Sequence, residues 1–198
     1  MSQGWDTSHT SRVPDGTHTS CVFVPLCYHP VREAIERPLK LSDYLIDHTG
    51  KDWSAMLKDW CPPLPASFTV WLVNRFGDVF AVFEDGSVNM LDVGLGILTR
   101  VADDREDFAR KVELDDNAEE WLMVGLINQC REAGLTLSDN QCYGYKTPPV
   151  LGGEYAVENV FSISLAEHYS FLADLYRQTK NLPDGSRVEV VVINVPKK

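Results

Sequence analysis

Three aspartates, Asp78, Asp85 and Asp92, stand seven residues apart in a stretch that reads as paired strands. Carboxylates brought together in this way can relay a proton or hold a hard cation. Simpler roles compete for them. Asp85 precedes Gly86 between two apolar runs and Asp78 follows Gly77, so turn formation outweighs chemistry for the set. His48 and His168 each fall on an expected helix. His168, beside Tyr169 in an amphipathic run, reads as a half-buried structural side chain ahead of a general base. Cys21, Cys27 and His29 form the single Cys/His cluster, without the short step and matching second pair that zinc requires. Gly94-Leu95-Gly96 and Leu151-Gly152-Gly153 lack the continuation of a phosphate-binding loop or a dinucleotide fingerprint, and read as turns. No serine stands in a G-x-S-x-G setting. The expectation is a protein with no catalytic residues, no metal and no cofactor.

The densest chemical feature is acidic. From Asp103 to Glu120 there are nine acids, Asp103, Asp104, Glu106, Asp107, Glu113, Asp115, Asp116, Glu119 and Glu120, against three bases, a net charge of −6. Two readings compete. The plainer is a solvated pair of helices, since acids are favoured at helix N-termini. The other is a negative surface that steers and docks onto a basic partner.

Charge balance over the whole chain favours a partner of the second kind. Eighteen basic and 29 acidic residues give −11, which argues against direct nucleic-acid binding, because phosphate contacts need Lys and Arg. Residues 1–38 carry 3 bases and 4 acids and the remainder 15 and 25, so the excess acid belongs to the part expected to fold. At 198 residues, with 44% hydrophobic and 24% charged side chains, the chain is long enough to bury a self-sufficient core. Five scattered cysteines, an odd number without paired spacing, read as reduced thiols of a cytosolic protein. No run approaches the ~20 apolar residues of a membrane helix. A cytoplasmic protein with no membrane partner is expected.

The elements that would position these groups follow from periodicity. Residues 1–38 read as a disordered tail, dispensable for folding, with the domain running from 39 to 198. Thr49 and Asp52 resemble a capping box ahead of Trp53, Met56, Leu57 and Trp60. Phe68 to Asn74, Asp78 to Phe83, Ser87 to Val93 and Gly96 to Ala102 are strand-like, with a hairpin turn at Asp85-Gly86. Asp104 can cap a short helix carrying Phe108 and Val112. Asn117 with Glu120 opens a longer one through Trp121, Leu122, Ile127 and Cys130, stopped by Gly134. Residues 138–156 read as a Gly/Pro-rich connection. Val160 to Ile163 is a strand, Ser164 and Glu167 cap a helix through Leu165, Leu172, Leu175 and Tyr176, and Arg187 to Val195 is a last strand. Strands before and after a helical middle predict α+β, a single mixed or antiparallel sheet with helices packed around it. Trp71 and Trp121 are placed in its core.

Three strings, FTVWLVNRFGDVFAVFEDGSVNMLDVGLG (68–96), DNAEEWLM (116–123) and CYGYKTPPVLGGEYAVENV (142–160), resemble the immunity proteins of type VI secretion DNase effectors, the Tdi type, related to the Smi/Knr superfamily. The resemblance spans about Leu39 to Val195 and implies a Smi/Knr-like fold. It also implies a cytoplasmic, non-enzymatic protein that neutralises a cognate toxin effector, a nuclease with a basic cleft, by tight binding over its active site. It supplies no catalytic residues. Its motif positions Trp71, Phe80, Gly86, Gly94, Tyr143, Gly152, Gly153 and Tyr155 read as turn glycines and core aromatics. The N-terminal GAD-like domain of many relatives is not found in residues 1–38. Two other functions stay open: a regulatory scaffold of the wider Smi/Knr type, and an enzyme that reverses toxin damage.

Overall fold

Four runs of β-branched and aromatic residues, separated by short turns, build the main sheet. In the computed structural model, which describes residues 40–60, 62–183, 185, 186 and 188, they form β1 (Thr69–Val73), β2 (Val79–Val82), β3 (Val88–Asp92) and β4 (Ile97–Ala102). They lie in the order β1-β2-β3-β4 with antiparallel neighbours throughout. Val73 faces Val79, Phe80 faces Met90 and Leu91 faces Leu98. Asp85 sets the second turn by accepting the Ser87 backbone N–H at 3.0 Å and the Ser87 hydroxyl at 2.6 Å.

Alternate side chains of these strands enter two different cores, as the period of two requires. Phe80, Val88 and Met90 face one, with α2 (Arg105–Lys111), α3 (Asn117–Leu122) and α4 (Val124–Glu132). Val79, Ala81 and Leu91 face the other, with α1 (Trp53–Met56) and α5 (Leu165–Thr179). Both faces are therefore covered, which is why β2 and β3 are almost wholly buried. The fold is α+β with an antiparallel sheet, as expected. It also has a second sheet, β5 (Gln141–Tyr145) paired antiparallel with β6 (Val160–Ser164).

Local chemistry accounts for the departures from the sequence reading. Asp52, not Thr49, caps α1, its carboxylate accepting from Ala55 N at 3.0 Å, while the Thr49 N–H goes to Asp47. His48 lies before α1 in a loop, its carbonyl accepting from the Trp53 indole. The single helix expected from Asn117 is two, because Met123 adopts a left-handed conformation (φ +54°, ψ +43°). The Glu119 carboxylate supports this break by accepting the Gly125 N–H at 2.8 Å, a donor near the start of α4. β5 lies inside what reads as a connection; Tyr143 N donates to Arg75 O at 2.7 Å and ties it to the end of β1. Trp121 is buried, but Trp71 is only half-buried, with Phe108 edge-on at 5.3 Å and the Arg105 guanidinium over its ring. The expected tail over 1–38, with Cys21, Cys27 and His29, lies outside the described residues, as do Cys61 and, apart from Val188, the last strand.

The loop from Lys146 to Asn159 is held from within. Asn159 donates to the carbonyls of Thr147 and Glu154 and accepts from Thr147 N. A side chain at Gly153 would collide with the Thr147 carbonyl oxygen. Gly153→Ala is expected to lower stability by about 1–3 kcal/mol, the usual range for overpacking against a fixed group. Thermal unfolding checks this, and an unchanged melting temperature would show that the loop can yield.

Candidate functional site

Where the β1–β2 turn meets the small sheet, the two helical layers leave a cavity of about 440 Å³. Its floor is the turn itself, with Asp78 and Asp92. Phe161 and Ile163 of β6 and Gly144 and Tyr145 of β5 form one wall, Met123 and Leu126 a second, and His168, Phe171 and Leu172 of α5 a third. Tyr155 stands at the mouth with Phe171, each about 40% exposed. Tyr155, expected in the core, is thus a rim residue.

The floor is built by side-chain hydrogen bonds. Asn74 accepts the N–H groups of Phe76 and Asp78, each at 2.9 Å, and donates to the Trp121 carbonyl and to the Asp78 carboxylate. That carboxylate also accepts Val93 N at 3.0 Å. Asp92 accepts Leu95 N at 2.8 Å. Burial first, and then the neighbouring Asp92 charge, push the Asp78 carboxyl up to about 7. Burial raises Asp92 as well. Among the described residues no salt bridge reaches either. Of the three aspartates spaced by seven, the fold unites Asp78 and Asp92 and leaves Asp85 at an exposed turn near Arg100. The turn reading fits Asp85 and is incomplete for Asp78, whose burial local sequence does not show.

α5 grips the same turn from behind. His168 Nε2 lies 3.0 Å from the Phe76 carbonyl, and since a carbonyl only accepts, Nε2 carries the proton. Burial pushes this histidine down to about 4, so it is neutral at physiological pH. Expected to be half buried, it is buried, and its bond to Phe76 ties α5 to the turn. Tyr169 donates to the Gly77 carbonyl at 2.8 Å. Opposite, the Tyr145 ring stacks on Phe76 at 5.1 Å and its hydroxyl contacts the Met123 sulfur. Burial raises the Tyr145 and Tyr155 phenols, the latter to about 12, so both stay protonated. Among the described residues no group of three or more His, Cys, Asp or Glu could hold a metal ion. The free thiols of Cys130 and Cys142 are buried, and burial raises both.

The nine acids of the 103–120 segment fall into three groups. Asp104 caps α2, accepting from Asp107 N at 2.7 Å. Asp107 pairs with Lys111 and Arg110, and the Lys111 bond above all holds its carboxyl down near 2. Asp103 pairs with Arg100. Glu106, Glu113 and Asp115 are exposed and away from the cavity, whereas Asp116, Glu119 and Glu120 line its mouth. Asp103 and Asp107 are paired where they stand, and the last three acids extend the negative floor outward.

Residues 102–176 match the family of the T6SS immunity protein Tdi1, C-terminal. The matched segment runs from the end of β4 through most of α5, so it contains the helical walls, the small sheet and all nine acids, while the aspartate floor lies before it. The match covers 75 of the chain's 198 residues. No curated protein matches the chain. Among solved structures, the chain is similar to the crystal structure of Atu4351 from Agrobacterium tumefaciens, at 17% identity and a TM-score of 0.37, over 54% of this chain and 53% of that one. The chain thus spans about half the length of that protein. No helix among the described residues is long and apolar enough to cross a membrane.

Proposed function

We propose that the chain is a cytoplasmic immunity protein that binds a cognate type VI secretion toxin stoichiometrically and covers its active site, the toxin being a nuclease with a basic cleft. The similarity to the Tdi1 C-terminal family carries this reading. The acid surplus of the chain supports it, because a −11 protein is attracted to a cleft shaped for phosphates. The nine acids from Asp103 to Glu120 are proposed as the surface that meets the toxin. Titrating purified chain against toxin on plasmid DNA tests the mode of action. Occlusion gives protection that rises in proportion to the chain added and becomes complete at one chain per toxin. Protection by a small fraction of an equivalent would instead mark an enzyme that repairs the damage.

The structure refines how the acidic surface is to be tested. Asp104 and Asp107 have structural duties, so the informative set is Glu106, Glu113, Asp116 and Glu120, for which no ion pair is seen among the described residues. Changing these four to Gln or Asn is expected to slow association about tenfold at low salt and to flatten its salt dependence. Stability should move by less than about 0.5 kcal/mol per site. Stopped-flow association at two ionic strengths reads the effect; equal rates and slopes for both proteins would return these acids to a solvated helical face.

A further inference from the structure

We propose that the cavity between the β1–β2 turn, the small sheet and α5 is a socket for one basic side chain, arginine or lysine, presented by the toxin. The proposal rests on the immunity reading for its source of the side chain, and on the cavity for its chemistry.

The cavity selects against other occupants. An anion would meet Asp78 and Asp92 at the floor and Asp116, Glu119 and Glu120 at the mouth. A purely apolar group would fit the walls but would take Asp78 and Asp92 further from water without offering either a polar or a charged partner, which is unfavourable in a low-dielectric site. A metal ion would need more donors than the floor presents, since among the described residues no cluster of three is found. A cation on a flexible apolar stem suits every surface. The stem lies against Leu126, Ile163 and Leu172, and the charge meets the two aspartates. Phe76, Tyr145 and Phe161 line the way, and aromatic rings attract guanidinium and ammonium groups.

Size and rim agree. At about 440 Å³ the space falls within the ~300–1,000 Å³ typical of ligand pockets, ample for one long side chain. Phe171 and Tyr155, each about 40% exposed, give the mouth an apolar border. An anchor of this kind, Arg in a desolvated pocket ringed by groups that exclude water, is where binding energy concentrates in protein interfaces. The floor and the outer acids then have separate tasks: the surface charges govern capture, and the socket governs release.

The test separates the socket from its source. With the full chain, n-butylguanidinium is expected to shift amide resonances of Val93, Gly144 and the start of α5 in NMR spectra. Its neutral isostere n-butylurea should bind at least tenfold more weakly. Asp92→Asn, which keeps an oxygen for Leu95 N, should weaken the cation at least tenfold. Tyr155→Leu, at an exposed position that tolerates change, should weaken it severalfold and serves if Asp92→Asn fails to fold. Against toxin, Asp92→Asn should raise the dissociation rate at least tenfold while leaving the association rate and its salt slope unchanged. Equal binding of the two probes, shifts confined to other surfaces, or an unchanged dissociation rate from toxin would each overturn the proposal. A wild-type chain that binds butylguanidinium in the cavity but not toxin would overturn the immunity reading and the toxin as source, and would support the cation selectivity of the cavity.

Discussion

Phe108→Ala is expected to destabilise the chain by roughly 3–5 kcal/mol, the range for removing a fully buried phenyl ring from a close-packed core. Phe108 is the hub of an aromatic cluster. Trp71 and Phe80 meet it edge-on, each at 5.3 Å, and Trp121 stacks on it at 5.2 Å. Through these contacts one side chain of α2 joins β1, β2 and α3. Its loss removes the ring's burial and three aromatic pairs together, and the rigid neighbours cannot all move into the space. Urea unfolding at neutral pH measures the effect. A loss below about 1 kcal/mol would show that α2 lies loosely on the sheet, with Phe108 free to be replaced by water or by rearrangement of Trp71.

Asp78→Asn is expected to tilt a nearly level stretch of the stability–pH curve. The Asp78 carboxyl titrates near 7 in the folded chain against an ordinary value of 3.8. Between those values the folded state holds a proton that the unfolded state has released. Its contribution is therefore complete at the acid end of that window and is lost as pH rises through about 7. His168 acts in the opposite sense. It titrates near 4 when folded against 6.5 ordinarily, so its contribution is present above 6.5 and is lost as pH falls through about 4. A tenfold change in proton affinity is worth about 1.4 kcal/mol, so Asp78 contributes on the order of 4–5 kcal/mol and His168 on the order of 3–4 kcal/mol, and their pH slopes cancel from about pH 4 to 6.5. The asparagine removes the acid's share alone. It also sets an amide donor against the Asn74 amide, which cannot turn because its oxygen holds Phe76 N and Asp78 N and its nitrogen holds the Trp121 carbonyl. That mismatch costs about 1–3 kcal/mol. The variant should thus be the weaker protein at pH 4.5 and equal or stronger at pH 7.5. Parallel curves for the two proteins would show that Asp78 carries no proton linkage.

What the sequence discloses about this fold depends on how local each cause is. The meander from β1 to β4 is readable within a residue or two, because alternating Val, Phe and Leu and the Asp85-Gly86 turn are local signals. The caps at Asp104 and Ser164 are equally plain, each a side-chain oxygen three residues before the N–H it accepts. β5 escapes notice because QCYGY has neither length nor alternation on its own; it becomes a strand through β6 and through the Arg75 carbonyl. The break at Met123 is invisible for the same reason, since methionine is a good helix former and the cause is the Glu119 carboxylate folding back on Gly125. The candidate site follows this rule. The interval of seven marks Asp78 and Asp92 as worth attention, but only the packing of α5 and the small sheet buries the first and turns both to one cavity. The acids from Asp103 to Glu120 stand out in composition, while their division into caps, ion pairs and cavity mouth depends on neighbours distant in sequence.

The left-handed residue between α3 and α4 bears on the rigidity of any receptor built there. Helices of six and nine residues are too short to persist alone in water, so the wall carrying Glu119, Glu120, Met123 and Leu126 has little order of its own. It is held from behind, where Trp121 lies against Phe108. The preorganisation that spares a binding surface its entropic loss on association is thus borrowed from the aromatic cluster on the far side of the wall, and folding stability and partner residence time depend on the same few rings.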